Sequence, residues 1–265
     1  MTTGFQIKLG RLARSRDPRV PHMSALMAGI ALPAPPAEVD WTKGMPANLG
    51  MMLNDALGDC TCAAFYHALQ VWTFNASGKT ETETDADVER LYELACGYNP
   101  AQGGEGPGGN EQHVLTYLLN EGAPTVMPVG SPHKIAAFVE IDPRSEVDVK
   151  RAIADCGLVY IGFNVPAWLM PANAPPPQQW RLGAGRDNAI IGGHAVILAG
   201  YNAGGLRVIS WGQYYAMGWG FFAEYVDEVY AIADSTWIDA KGKTPGGLSL
   251  AALEEQMAAL KEQAG

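Results

Sequence analysis

No apolar run in this chain approaches the roughly 20 residues needed to cross a bilayer, so no membrane partner is expected. The opening Met1-Thr2-Thr3-Gly4-Phe5-Gln6-Ile7-Lys8 lacks the apolar segment of a secretory signal, which points to a cytoplasmic or virion-associated protein. Cysteine is scarce. Cys60, Cys62, Cys96 and Cys156 show no metal-ligand spacing, and Cys60 and Cys62 would project from different sides of a helix. No metal and no cofactor are expected, and the four thiols read as free in a reducing compartment. Charge is also sparse, at 17% of residues, and basic charge most of all: 18 Lys and Arg stand against 28 Asp and Glu, a net −10. A phosphate backbone would repel such a chain, which excludes a general nucleic-acid binder.

What is present is globular. At 265 residues and 48% hydrophobic, the chain can bury one large core or two closely packed subdomains. Its few basic residues are unevenly placed. Residues 1–37 carry Lys8, Arg11, Arg14, Arg16 and Arg19 against the single acid Asp17, and end in Pro33, Pro35 and Pro36. This stretch reads as an extended arm: either a solvated, weakly docked tail, or a segment that covers the acidic body and its cleft. Helical patterns follow at about 60–73, 85–94, 111–120 and 147–155, the second opened by the capping sequence Thr84-Asp85-Ala86-Asp87. Residues 97–110 hold six glycines and two prolines and form a loop. Strand patterns fall at 158–163, 195–201, 206–211 and 220–225, with a long loop over 166–189. Helices first and strands later give an α+β protein of two lobes. Leu250, Leu253, Met257 and Leu260, spaced 3-4-3, predict an amphipathic helix over 241–265 that packs on its own body or pairs with another chain.

Two residues carry the chemistry. Cys60 follows Asn54-Asp55-Ala56-Leu57-Gly58-Asp59 and opens an apolar helix. A helix N-terminus lowers a thiol pKa and offers N–H groups to an oxyanion. His194, in Gly192-Gly193-His194-Ala195-Val196, lies where a glycine turn enters a strand, and an imidazole there suits a general base. The two stand 134 positions apart, a separation in the range of papain-type cysteine and histidine pairs. Cys62, inside the helix, reads as structural, and His22, His67, His113 and His133 as surface or packing residues. Asp59 is expected to point outward and cap the helix.

Around this pair the sequence resembles the papain family of cysteine peptidases, over about residues 36–235. Pro36-Ala37-Glu38-Val39-Asp40-Trp41 looks like the family's mature amino-terminal strand, and Gly58-Asp59-Cys60 like its Gly-Ser-Cys. Asn54 stands where the family places a glutamine that donates to the oxyanion. Gly108-Gly109-Asn110 is similar to the loop that binds substrate backbone, and the segment from Val149 through Val159 to the helix and strand before the histidine. Gly193-His194-Ala195-Val196 with Gly200-Tyr201, then Ser210-Trp211-Gly212 with Gly218-Trp219-Gly220-Phe221-Phe222, complete the set in family order. The resemblance implies a helical left lobe (about 50–140) and an antiparallel, barrel-like right lobe (about 141–240), within a domain spanning 38–240, of a compact bacterial or phage-type relative.

It also implies an activity: peptide-bond cleavage through a thioester on Cys60, with His194 as base, Asn54 at the oxyanion, Trp211 packed beside the histidine, and Gly108 and Gly109 offering backbone to a peptide or protein substrate. The loop around Trp168, Pro175-Pro176-Pro177 and Trp180 would form a wall and an aromatic platform. Departures run beside it. Ile209 stands at the family's asparagine position, leaving Ser210 or a backbone carbonyl to orient the histidine. Thr61 replaces a tryptophan, Leu57 a disulfide cysteine, and the 37-residue arm is shorter than the family's usual inhibitory propeptide. The alternatives are a catalytically weak or inactive binding or structural module, and a peptidoglycan amidase.

Overall fold

A computed structural model of the chain describes residues 7–26, 33–125, 131–172, 174–237 and 251. Its elements run α1 (Met23–Leu26), β1 (Val39–Asp40), α2 (Cys60–Ser77), α3 (Asp85–Cys96), α4 (Glu111–Asn120), β2 (Ala137–Glu140), α5 (Glu146–Cys156), β3 (Val159–Pro166), β4 (Gln179–Trp180), β5 (Ile190–Asn202), β6 (Gly205–Ser210), β7 (Gln213–Met217), α6 (Trp219–Tyr225) and β8 (Val226–Ala233). The mixed α+β class expected from the sequence is what forms. The helix expected through Leu250 and Leu260 lies outside the described residues.

Helix α2 is the axis of the molecule. Every residue from Cys60 to Thr73 is buried, so no solvent face survives over that stretch. Small Ala63, Ala64 and Ala68 let neighbours approach, while Phe65 and Trp72 fill the space beyond. Each such aromatic side chain contributes roughly 1.5–3 kcal/mol by leaving water. Gly78 ends the helix in the left-handed conformation (φ 74°) and donates its N–H to Phe74. Two buried bonds fix the helix to the rest of the protein: Tyr160 Oη donates to the Thr61 carbonyl at 2.8 Å, and Trp72 Nε1 to that of Cys156 at 2.9 Å. The first of these anchors the turn that carries Cys60 onto β3.

The strands form one eight-stranded sheet in the order β2-β8-β3-β5-β6-β7-β4, with β1 added to β5. All pairs are antiparallel except β4 with β7. β5 is the spine: it pairs with β3 along its length, placing His194 opposite Phe163, and with β6 beyond Ile197. Val39 and Asp40 pair with Tyr201 and Gly200.

The segment expected as a strand at 220–225 is instead α6. Gly218 precedes it in extended conformation, and Phe221, Phe222 and Tyr225 turn to the core at helical spacing. Aromatic content favours a strand locally, but packing decides. The true strand, β7, lies just upstream, where its Gln213-Tyr214-Tyr215 hairpin onto β6 was hidden between two glycines.

Candidate active site

The sequence places Cys60 and His194 on separate elements, and the fold brings those elements against one another. Cys60 is the first residue of α2, and the backbone of Ala195, the residue following His194, pulls its thiol pKa down against the larger effect of burial. Both side chains are about 1% exposed. His194 stacks on Trp211, ring centroids 4.3 Å apart and 11° from parallel, and meets Phe163 edge-on. Its Nε2 shares a 2.8 Å hydrogen bond with Ser210 Oγ, while Nδ1 is buried with no hydrogen-bond partner among the described residues. Of the two orienting groups left open by the sequence, the hydroxyl is the one used. Ile209 is buried in β6 opposite Ile197 and contributes only packing.

Backbone strain concentrates beside these groups. Trp211 has φ 46° and the following Gly212 φ 69°; a Cβ on Gly212 would lie 2.6 Å from the Gly50 carbonyl oxygen. Met52 and Leu53 adopt φ 53° and 63° immediately before Asn54. Non-glycine residues in this region each cost of order 1–3 kcal/mol, which the surrounding packing must offset.

Two expectations need correction. Asp59 does not point outward. It is fully buried and makes no capping bond, and burial raises its carboxyl pKa well above the ordinary value. Asn54 is not a free donor either: its amide nitrogen gives to the Leu57 carbonyl and to Asp59 Oδ1, both at 3.2 Å, leaving no hydrogen for an oxyanion in this conformation. The thiol, too, departs from the helix-dipole expectation. Burial pushes Cys60 up to about 12 despite the N–H groups of Ala195 and Gly10, and burial lowers His194 to about 3. The two groups are therefore neutral across the physiological range.

The arm passes beside these groups. Residues 8–17 are not a solvated tail; they thread between the two halves of the site. Lys8 donates its N–H to the Asn54 carbonyl (2.9 Å) and Arg11 to that of Gly193 (3.2 Å). Gly109 donates to Gly10 (2.8 Å) and accepts from Leu12 (2.9 Å), a parallel bridge. Gly109, expected to offer its backbone to a substrate, is here bonded to the chain's own arm. Gly108, at φ 80°, donates to Tyr92 Oη and lies so close to the arm that a Cβ would reach the Gly10 oxygen at 2.4 Å. The fit at Gly10 is closer still: a Cβ there would fall 1.8 Å from the Gly58 oxygen. Further along, Asn110 Nδ2 donates to the Ala13 carbonyl, Gln112 accepts from the Asp17 N–H, and Arg14 pairs with Glu140.

Sequence reasoning missed the arm's anchor. The Arg11 side chain is 2% exposed and lies among Glu111, Asp227 and Glu228. The excess of basic residues in the arm over an acidic body was the available signal. Of the other candidates, Trp180 is buried between Phe163, Trp211, Tyr215 and Phe221, so it supports the core and offers no platform. Cys62 is buried with its sulfur 4.0 Å from that of Cys96. His67 bonds Gln70, and His133 bonds Asp234. Among the described residues no cluster of His, Cys, Asp and Glu suits a metal ion, and no helix is long and apolar enough to cross a membrane.

No protein-family model and no curated protein matches the sequence. Solved structures do. Xylellain, a cysteine protease from Xylella fastidiosa, matches with a TM-score of 0.64 at 16% identity, over 88% of this chain and 98% of its own. Procathepsin B from Trypanosoma congolense matches at 0.53 and 13% identity, over 88% and 87%. The cysteine protease and lectin-like domains of Cwp84 from Clostridium difficile match at 0.55 and 11%, over 80% and 55%. The chain has the fold of the papain-like cysteine peptidases. At these identities the likeness carries the fold, and the chemistry rests on the residues themselves.

Proposed function

We propose that the protein is a papain-like cysteine peptidase, with Cys60 as nucleophile and His194 as base, held closed by residues 8–12 of its own chain. The observation that carries this reading is a buried histidine with one nitrogen on Ser210 and the other unspent, on a strand packed against the helix that Cys60 opens. With Nε2 engaged, Nδ1 is the nitrogen left to take the thiol proton. Trp211 shields the pair from water, and the Cys60 backbone N–H at the start of α2 offers an oxyanion donor.

The arm accounts for the neutral state of both groups. It bonds Gly109 on one side and Gly193 on the other, taking the place that a substrate backbone would need. Its departure would admit water and substrate, removing the desolvation that opposes the ion pair.

The test is alkylation of the full chain by iodoacetamide near neutral pH, followed residue by residue, before and after Arg11→Glu. Cys60 should react slowly in the natural chain and rapidly in the variant, and His194→Ala should abolish the gain. Labelling of Cys60 no faster than Cys62 or Cys156 in the opened chain would overturn the assignment and favour an inactive module.

A further inference from the structure

We infer that Cys62 and Cys96 form a peroxide-reactive dithiol that closes to a reversible disulfide and takes up oxidant ahead of Cys60. The first observation is proximity. Cys62 lies in the first turn of α2 and Cys96 is the last residue of α3, yet their sulfurs stand in direct contact, 4.0 Å apart. Leu57 stands where the papain family has a disulfide cysteine, so this pair is a different link. A disulfide needs a sulfur separation of about 2.05 Å, so one thiol has to approach the other by about 2 Å. That movement falls to Cys96. Cys62 is fully buried inside a helix with no solvent face. Cys96 closes its helix, and Gly97 turns the chain away in the left-handed conformation at φ 76°. Helix ends fray more readily than buried helix interiors.

The two thiols are also unequal in the way a sequential reaction requires. Cys96 is partly exposed, so a small oxidant reaches it, whereas Cys60, Cys62 and Cys156 are buried. The only residue packed directly over its sulfur from the loop side is Gly109, where a Cβ would stand 3.0 Å from Cys96 Sγ. The Cys62 thiol and the Thr61 hydroxyl hold the Cys96 pKa below the ordinary thiol value against burial, while burial pushes Cys62 well above it. Cys96 therefore supplies thiolate for the attack, and Cys62 keeps its proton until the second step. Burial pushes Cys60 and Cys156 up to about 12, which leaves them poor targets in the closed chain.

The chemistry balances with a hydroperoxide as oxidant. The Cys96 thiolate attacks one peroxide oxygen; an S–O bond forms and the O–O bond breaks. With hydrogen peroxide, hydroxide leaves and takes up the proton that Cys96 gave up, and Cys96 becomes a sulfenic acid. Cys62, already beside it, attacks that sulfur. An S–S bond forms, the S–O bond breaks, and the departing hydroxide takes the Cys62 proton. Two thiols and one hydrogen peroxide become one disulfide and two waters, with two electrons passing to the peroxide. A thiol reductant reverses the step. A disulfide of this kind in a reducing compartment is a transient, redox-sensing one.

The test treats the full natural chain with hydrogen peroxide at pH 7, blocks the remaining thiols with N-ethylmaleimide in denaturant, and maps the peptides by mass. The four free thiols should fall to two, with a Cys62–Cys96 crosslinked peptide, Cys60 and Cys156 blocked, and all four restored by dithiothreitol. Cys96 should be lost about 10-fold faster than Cys60 or Cys156, or more. A crosslink through Cys60 or Cys156, earlier loss of Cys60, or Cys96 carried to the sulfinic acid with Cys62 left free would each overturn the proposal.

Two variants separate the roles. In Cys62→Ser the Cys96 sulfenic acid should persist and be trapped by dimedone. In Cys96→Ser the buried Cys62 should react about 10-fold more slowly than Cys96 does in the natural chain; an equal rate would overturn the order of attack. The peptide map of the natural chain needs neither variant, so a substitution that misfolds leaves the test standing. None of these readouts depends on catalysis, and failure of the peptidase reading would leave the dithiol intact.

Discussion

Two pockets lie one residue apart beneath the same arm, and burial has opposite consequences in them. Around Cys60 and His194 the walls are Trp211, Phe163 and backbone, with no compensating ion, and both groups are driven to their neutral forms. Around Arg11 the burial is as deep, and desolvation of itself disfavours the cation. There Glu111, Glu228 and Asp227 more than offset that penalty, and the guanidinium stays charged with its pKa raised. Burial and the neighbouring Glu228 raise the Glu111 carboxyl well above its ordinary range. The lesson is that the arm lies over one pocket whose groups are neutral and is held at the other by charge. The site stays closed through the second, so the second is where it can be opened.

The largest expected effect follows directly. Arg11→Glu replaces the anchoring cation with a fourth acid. Breaking a buried pair typically costs about 3–5 kcal/mol, and 1.4 kcal/mol is tenfold in an equilibrium. The open population, read as the Cys60 alkylation rate at neutral pH, should rise about 100-fold or more. A rate unchanged while the chain stays folded would mean that the arm's backbone bonds hold the site without the ion pair.

Gly10→Ala asks the complementary question, since it leaves every charge in place. Its Cβ would meet backbone on Gly58, which cannot swing aside as a side chain can. The arm should lift near the thiol while Arg11 remains seated, with alkylation rising about 10-fold, less than in Arg11→Glu. A larger gain than Arg11→Glu would reverse the ranking of the two pockets.

That ranking was only half legible in the sequence. Cys60 and His194 stood out because a glycine turn entering a helix and another entering a strand are local signals with a chemical reason. Ser210 and Trp211 came with them, as neighbours in one short motif. The acid pocket did not. Its members Arg11, Glu111, Asp227 and Glu228 belong to three distant segments, and each alone looks like a solvated charge; only the sheet register, which sets Gly162 of β3 beside Glu228 of β8, assembles them. Asn54 and Asp59 misled for a related reason. Both are typical turn and capping residues, and whether such side chains face out or in depends on what lies over them, here residues 8–10 of the arm.

On the dyad side, Ser210→Ala should act by orientation. The bond it removes is worth about 0.5–1.5 kcal/mol net, and its loss leaves Nε2 buried without a partner. In the Arg11→Glu background the alkylation rate should fall about 10-fold, while Ser210→Thr, which retains the hydroxyl, should keep most of it. No change in Ser210→Ala would remove the serine from the catalytic arrangement and leave ring stacking on Trp211 as the orienting force.

The smallest effect concerns pH. His194 has a folded pKa of about 3 against an ordinary 6.5. The unfolded chain therefore binds the extra proton first as pH falls, so the stability from the neutral, buried ring is full above 6.5 and is lost progressively down to about 3. His67, lowered by burial to about 4, acts with the same sign. Glu111 and Asp59, raised well above their ordinary values, act with the opposite sign: their contribution is full in acid and is lost as pH rises through their folded pKa. The acid sensitivity of the whole chain is therefore a partial cancellation, and the informative quantity is a difference. Thermal unfolding of the natural chain and of His194→Gln, compared between pH 7 and 4, should show a smaller drop in Tm for the variant, because it has no imidazole at this position to take up a proton on unfolding. An equal drop would place the histidine in contact with water already, and with that the contrast between a neutral dyad and a gripped arginine would fail.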